Sequence, residues 1–357
     1  MPHLRAITSS QITKLIIAAS SVMIAILIVL HTWYWHQGIS AIERTIEDWS
    51  KSIRSEGGSV QFTSLRFGGY PSVFEVKFES IAIQSASNGP AWTWRGGAIQ
   101  SYASIWAPDA ITTKMTGGQE WHLNTQGSDN KSRAGLVNAV VKIETSKSGI
   151  RLLDARLTGI HVVSPILIEP LTIESLDITA AHRESPSDPS SLRVQGRARQ
   201  AKFPITKISV LGSAIEQVAW DLSATGILPK SLRKHDLASW RDNGGVVSVE
   251  SLDLRWGPLT VDAEGTLSLD KRNRPIAALS ATVHGHRSVI ESLVEVGQIR
   301  PAEGAAAKIG LSMFSNSAEN GGIVLPLTAQ NGWLTAGPLR ILPLQPLDFS
   351  WLHGPAP

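Results

Sequence analysis

The residues best equipped for chemistry stand together at His284-Gly285-His286. Two imidazoles two positions apart on a strand share one face, and neutral imidazole is a common metal ligand. No carboxylate or third histidine adjoins them, so the pair also reads as an exposed or edge pair with no metal. Serine is plentiful, yet no Gly-x-Ser-x-Gly elbow occurs, and neither a P-loop nor a dinucleotide fingerprint is present. Gly68-Gly69 and Gly244-Gly245 read as turns and caps. With no cysteine, a thiol nucleophile, a disulfide framework and a cysteine-bound zinc are excluded. The sequence therefore names no catalytic residue, no metal site and no cofactor, and a non-enzymatic role is expected. A hydrolase whose carboxylates meet only in space remains the third-ranked alternative.

The other side chains with a conspicuous distribution are apolar. Twelve tryptophans stand against three tyrosines in 357 residues. Trp92 and Trp94 share one strand face, and Trp106, Trp220, Trp256 and Trp333 either line a groove that holds lipid or simply pack a core. Hydrophobic residues make up 42 % and charged residues 18 % of the chain, the latter below the roughly 25 % of ordinary soluble domains. Thirty-three basic residues are interspersed with thirty acidic ones, and no basic block is present to recruit nucleic acid.

The elements that position these residues begin with Leu15–Leu30, which carries no charge and is followed by the aromatic run Trp33-Tyr34-Trp35. Residues 15–35 as a helix span roughly 31 Å, the thickness of a bilayer's hydrocarbon core, with the aromatics at one interface. Arg5 and Lys14 precede the span, and Glu43, Glu47 and Asp48 follow it. The positive-inside rule then places a tail of residues 1–14 in the cytoplasm and the bulk of the chain in the periplasm, with a single-pass inner-membrane anchor between them. A signal peptide cut before Ala41 is the alternative, against which the bulky residues 31–37 argue. A helix over 37–56 is predicted next. Ile39, Ile42, Ile46, Trp49 and Ile53 form its stripe, Ser40 and Glu43 have capping-box spacing, and Gly57-Gly58 ends it. The stripe either lies on the membrane or packs on the sheet that follows.

Residues 59–357 read as one periplasmic β-rich domain. Leu259–Asp270 alternates without a break, with Leu259, Val261, Leu267 and Leu269 on one face and Thr260, Asp262, Thr266 and Ser268 on the other. Val137 to Ile143 repeats the alternation, and Asn331-Gly332 between two alternating runs predicts a type I′ hairpin. Phe74, Val76 and Phe78 occupy even positions, but Ile81 and Ile83 occupy odd ones. This change of phase falls at Glu79-Ser80, and the same dipeptide recurs at Glu174-Ser175 and Glu250-Ser251. One extra residue re-aims a strand, so a bulge or turn is expected at each step. The three copies suggest recurring β units, at irregular spacing. Short helices are predicted around Leu232, Leu237 and Trp240, closed by Gly244, over 288–297 with Ser288 and Glu291 as a capping box, and from Pro301 onward. Polar stretches at 124–134 and 183–191 resemble linkers.

Several segments, in this order, resemble an uncharacterised alphaproteobacterial family, domain of unknown function 2125. They are the anchor, Gly68–Phe78 with its Gly-Tyr-Pro, Trp92–Trp94, Gly244–Asp270 with Arg-Trp-Gly-Pro-Leu, a helix near 288–297, and Leu325–Leu347. That resemblance brings no reaction and no catalytic residues. The Gly244–Asp270 strands also resemble those of AsmA-like envelope proteins, which implies a long sheet with an apolar concave face and a link to lipid handling. The expected architecture is thus a transmembrane helix followed by a long, curved antiparallel sheet system with few helices. Phe74, Val76, Phe78, Trp92, Trp94, Leu259, Val261, Leu267 and Leu269 are the candidate residues for a surface that takes phospholipid or a lipidated protein. A structural or assembly factor of the envelope, with the sheet closed over its own core, is the alternative.

Overall fold

The uncharged run that starts at Leu15 continues straight into the Ile39–Ile53 stripe, and the two form one uninterrupted helix, α1 (Ser9–Ser55). The Ser40/Glu43 spacing caps nothing, because the helix has no end there; α1 stops before Gly57, whose φ is 86°. The computed structural model describes residues 9–85, 91–124, 131–147, 149–164, 167, 169–185, 188–203, 209–226, 234–312, 322–337 and 339–347. Residues 1–8 of the expected tail and Leu232 lie outside these.

Beyond α1 the chain is an antiparallel sheet. Its strands are β1 (Ser59–Phe62), β2 (Leu65–Gly68), β3 (Val73–Phe78), β4 (Ile81–Gln84), β5 (Ala91–Ser104), β6 (Ala107–Asn124), β7 (Lys131–Leu136), β8 (Asn138–Ser146) and β9 (Gly149–Val163). The series continues with β10 (Leu171–Ser185), β11 (Asp188–Lys202), β12 (Ile215–Thr225), β13 (Val246–Trp256), β14 (Leu259–Leu269), β15 (Pro275–His284), β16 (Ile323–Gln330), β17 (Trp333–Ala336) and β18 (Leu339–Pro343). Helix α2 (Lys234–Asp242) precedes β13, and α3 (His286–Glu295) and α4 (Pro301–Ser312) precede β16. Each strand pairs with its neighbours in sequence, so the sheet is a meander. The pairs β1/β2, β3/β4 and β7/β8 are each one strand interrupted, since both halves meet the next strand in the same register. The expected hairpin is present, with Asn331 at φ 55° and Gly332 at φ 78° between β16 and β17. The polar stretch 183–191 is not a linker; it is the far end of the β10–β11 hairpin, apart from residues 186 and 187, which are not described.

The phase change at Glu79-Ser80 is part of a crease that crosses several strands. Ser80 faces Gly97 on β5; there β6 inserts an extra residue at Gly117-Gly118, both with positive φ. The Gly118 N–H donates to the Val137 carbonyl, and Val137 interrupts β7/β8. Gly159, Glu174 and Gln200 continue the line on β9, β10 and β11, where Glu174 is skipped by both ladders. A bulge reverses which side chains face which way. Ile81 and Ile83 below the crease therefore join Ile99 above it in one buried cluster. The first two Glu-Ser steps interrupt their ladders without shifting the register; the third is a bulge, displacing both ladders of β13, on a different line of the sheet. The three copies mark places where strands are re-aimed and do not mark a repeat.

The clusters of large buried side chains lie near α1 and α2, while Ala139, Ala155, Ala198 and Ala219 are buried between them. Val60, Ile81, Ile83 and Ile99 pack under Ile53 of α1; Trp35, Phe74 and Ile105 pack with Ile39 and Ile42; Leu237 and Trp240 of α2 pack on Leu269. The α1 stripe is thus seated on the sheet, although Trp49 stays 41 % exposed. Among the described residues, no helix lies along β8–β12; α3 and α4 pack on one another and on a short turn at Ser209–Leu211.

Candidate functional site

Residues paired across a ladder share a face, so the registers can be followed from strand to strand. One such line runs Phe78, Ile99, Met115, Ala139, Leu157, Leu176, Ala198, Val218, Leu254, Val261, Val283, Ile323, and every member is apolar. It crosses twelve strands, roughly 50 Å at ordinary strand spacing. The parallel line starting at Val76 is apolar except for Ser101 and Thr113, whose hydroxyls bond each other at 2.9 Å. The adjacent residues, which face the other way, give Lys77, Gln100, Lys114, Val140, Arg156, Asp177, Arg197, Ala219, Asp253, Asp262, Thr282 and Val324. The sheet therefore separates an oily face from a charged one over its whole width.

Phe74, Val76, Phe78, Leu259, Val261, Leu267 and Leu269 lie on the oily face, as do Trp92 and Trp94 below the crease. They are not equally accessible. Phe74 and Val76 are buried near α1 and Leu269 is buried under α2, whereas Phe78, Leu259, Val261 and Leu267 are half-buried. Trp92 is exposed and Trp94 stacks on Trp121, ring centroids 5.9 Å apart and ring planes nearly parallel. The stretch no helix covers lies between these groups and carries Val141, Leu157, Leu176, Ile178, Val194, Trp220 and Leu222, all half-buried. Sequence reasoning named Trp220 as a groove candidate and read the alternation through Val141, but it did not place Leu157, Leu176, Ile178, Val194 or Leu222 on this face. Of the other tryptophans, Trp220 and Trp256 are on the oily face, Trp106 is 81 % exposed at the β5–β6 turn, and Trp333 lies under Arg340 on the other face.

The charged face is neutralised strand by strand. Hydrogen bonds from Arg193, at 2.8 Å, and from Gln195 hold the Asp221 carboxyl below the usual carboxylate range. Gln100 and Lys77 do the same for Glu75, and Lys142 and Arg151 for Glu144. Asp253 and Asp262 face each other directly, and sharing a proton with Asp262 pushes Asp253 up. The two histidines do not share a strand face: β15 ends at His284, Gly285 turns at φ 77°, and His286 opens α3 as a buried residue. Helix α3 therefore starts before Ser288, and Glu291 pairs with Lys308 of α4 at 2.7 Å in place of capping. Among the described residues no three His, Asp or Glu side chains are grouped to hold a metal.

Helix α1 is long and apolar enough between Ile16 and Ser55 to be a membrane anchor or a signal sequence, its best window averaging a hydropathy of 2.2. From His31 onward the helix is built into the sheet end. The Trp35 indole donates to the Val73 carbonyl at 2.9 Å, Thr32 bonds the Tyr70 hydroxyl at 2.9 Å, and His31 bonds the Pro71 carbonyl at 2.7 Å.

Comparison with protein families finds a match over most of the chain. The family model described as "Uncharacterized protein conserved in bacteria (DUF2125)" covers residues 33–345. No curated protein and no solved structure matches the chain.

Proposed function

The chain belongs to the bacterial family DUF2125, and we propose that it is a non-enzymatic inner-membrane protein whose oily sheet face, held in the periplasm, carries lipid acyl chains or the lipid of a lipidated partner. The observation that carries this reading is the unbroken apolar line across twelve strands, on which, among the described residues, no helix packs closely over β8–β12. A half-exposed apolar surface of that extent supports a binding site. Relative to water, each methylene laid on it gains about 0.8 kcal/mol. A lipid arriving from a bilayer leaves an equally apolar medium, so exchange between bilayer and sheet is close to isoenergetic, as a surface that takes up and releases lipid requires. The charged opposite face, with its paired carboxylates, suits an aqueous compartment.

The test is native mass spectrometry of the full chain in detergent. Phospholipid is expected to travel with the protein and to be lost in Ile178→Asp, which puts a charge in the uncovered stretch without touching a buried cluster. A lipid-free mass for the unsubstituted chain sinks the reading. In that case the alternative gains, a structural or assembly factor of the envelope, which the helix-covered ends of the face at Phe74 and Leu269 favour.

A further inference from the structure

Two clefts meet where α1 joins the sheet. The first, about 750 Å³, is lined by Ile24, Leu27, Ile28 and His31 of the helix and by Tyr70, Pro71 and Trp106 of two strand-connecting turns. The second, about 520 Å³, is lined by Gly38 and Ile42 and by Phe74, Val76, Ala103 and Ile111, where the apolar lines of the sheet begin. Tyr34 lines both and packs 6.2 Å from Phe74, ring to ring.

Depth assigns the first cleft its surroundings. Counting about 1.5 Å per residue from Leu15, a hydrocarbon core about 30 Å thick ends near Tyr34–Trp35, so His31 and Thr32 lie about 5 Å inside it. The turns that grip them lie at the same level: Tyr70 and Pro71 through hydrogen bonds, and Trp106 with its ring 6.2 Å from that of His31. Trp106 is 81 % exposed and Tyr70 50 % exposed, an unfavourable display in water and an ordinary one at a bilayer interface.

We infer that the Tyr70-Pro71 and Trp106 turns are sunk in the leaflet beside the anchor, and that the two clefts joined at Tyr34 are the path by which an acyl chain of that leaflet passes sideways onto the sheet. This rests on the reading of the sheet face given above and commits to a bilayer phospholipid as the occupant. Continuity supports that choice, because one wall of the first cleft is the anchor's own apolar surface and the last residues of the second begin the oily face.

The full chain is reconstituted in phosphatidylethanolamine–phosphatidylglycerol vesicles containing a phosphatidylcholine with a diazirine in mid-chain, illuminated, and the labelled residues are mapped by mass spectrometry. Label is expected on both turns, in the second cleft and on β8–β12. In Ile111→Lys and in Ala103→Trp, which block the second cleft by charge and by bulk, label on β8–β12 is expected to vanish while α1 and the turns stay labelled. The near-ultraviolet signal of the Trp94–Trp121 stack reports that both variants are folded. Unchanged labelling of β8–β12 in both variants overturns the path and leaves the lipid-binding face standing. A labelled face with unlabelled turns overturns the insertion, and an unlabelled sheet in the unsubstituted chain overturns both proposals.

Discussion

At the residue scale the seating of α1 depends on Gly38. A Cβ there would run into the ring of Phe74, so Gly38→Leu forces the helix away from β3. The expected cost is about 1–3 kcal/mol, read as a lower thermal midpoint, with Trp35 becoming accessible to an aqueous quencher. Phe74→Ala in the same background is expected to restore the seating. Asp253 makes a pH-dependent prediction of unusual sign. Its carboxyl is pushed up by Asp262, so the folded state holds its proton more firmly than the unfolded chain does. Its ionised form therefore destabilises the fold above that raised pKa, and the penalty fades as pH falls through it. Asp253→Asn should stabilise the protein at neutral pH by roughly 0.2–1 kcal/mol, the range of directly opposed cross-strand pairs, and have no effect in acid. Denaturant unfolding at the two pH values checks this. Residue identity alone made Phe78, Val261 and Leu267 legible as face residues, because alternation assigns a face. It did not tell that Phe74 and Leu269 are already covered by α1 and α2, since burial between elements distant in sequence leaves no local periodicity.

At the element scale the crease holds the two halves of the oily face in phase. Deleting Gly118 removes the extra residue of β6, and a one-residue slip turns every following side chain to the other face. Trp121 would then leave Trp94, and the buried Gln119 would be turned out. Loss of the near-ultraviolet signal of the stacked indoles, with β content retained, is the expected result. The change of phase at Glu79-Ser80 was readable because apolar residues switch parity there. Its continuation at Gly97, Gly117-Gly118 and Val137 was not, because glycines in a strand have no side chain to carry parity. Likewise the two halves of α1 read as separate helices only because hydropathy changes at Trp35, while nothing in the backbone breaks.

At the scale of the whole molecule, the distinction between anchor and cleaved leader acquires a structural argument. Cleavage before Ala41 would take Trp35 and Gly38 out of the contact with Phe74 and Ile105. The mature protein is therefore expected to keep its N-terminal helix, which intact-mass measurement on membrane-extracted material decides; a chain beginning at Ala41 would remove the anchor. The meander has a further consequence. Because each strand, with β1/β2, β3/β4 and β7/β8 counted as one apiece, bonds among the described residues only to its sequence neighbours, the architecture is quasi-one-dimensional, like a stacked solenoid. Its length is then an adjustable quantity: inserting or excising one hairpin changes the reach by about 10 Å and asks nothing of strands farther along.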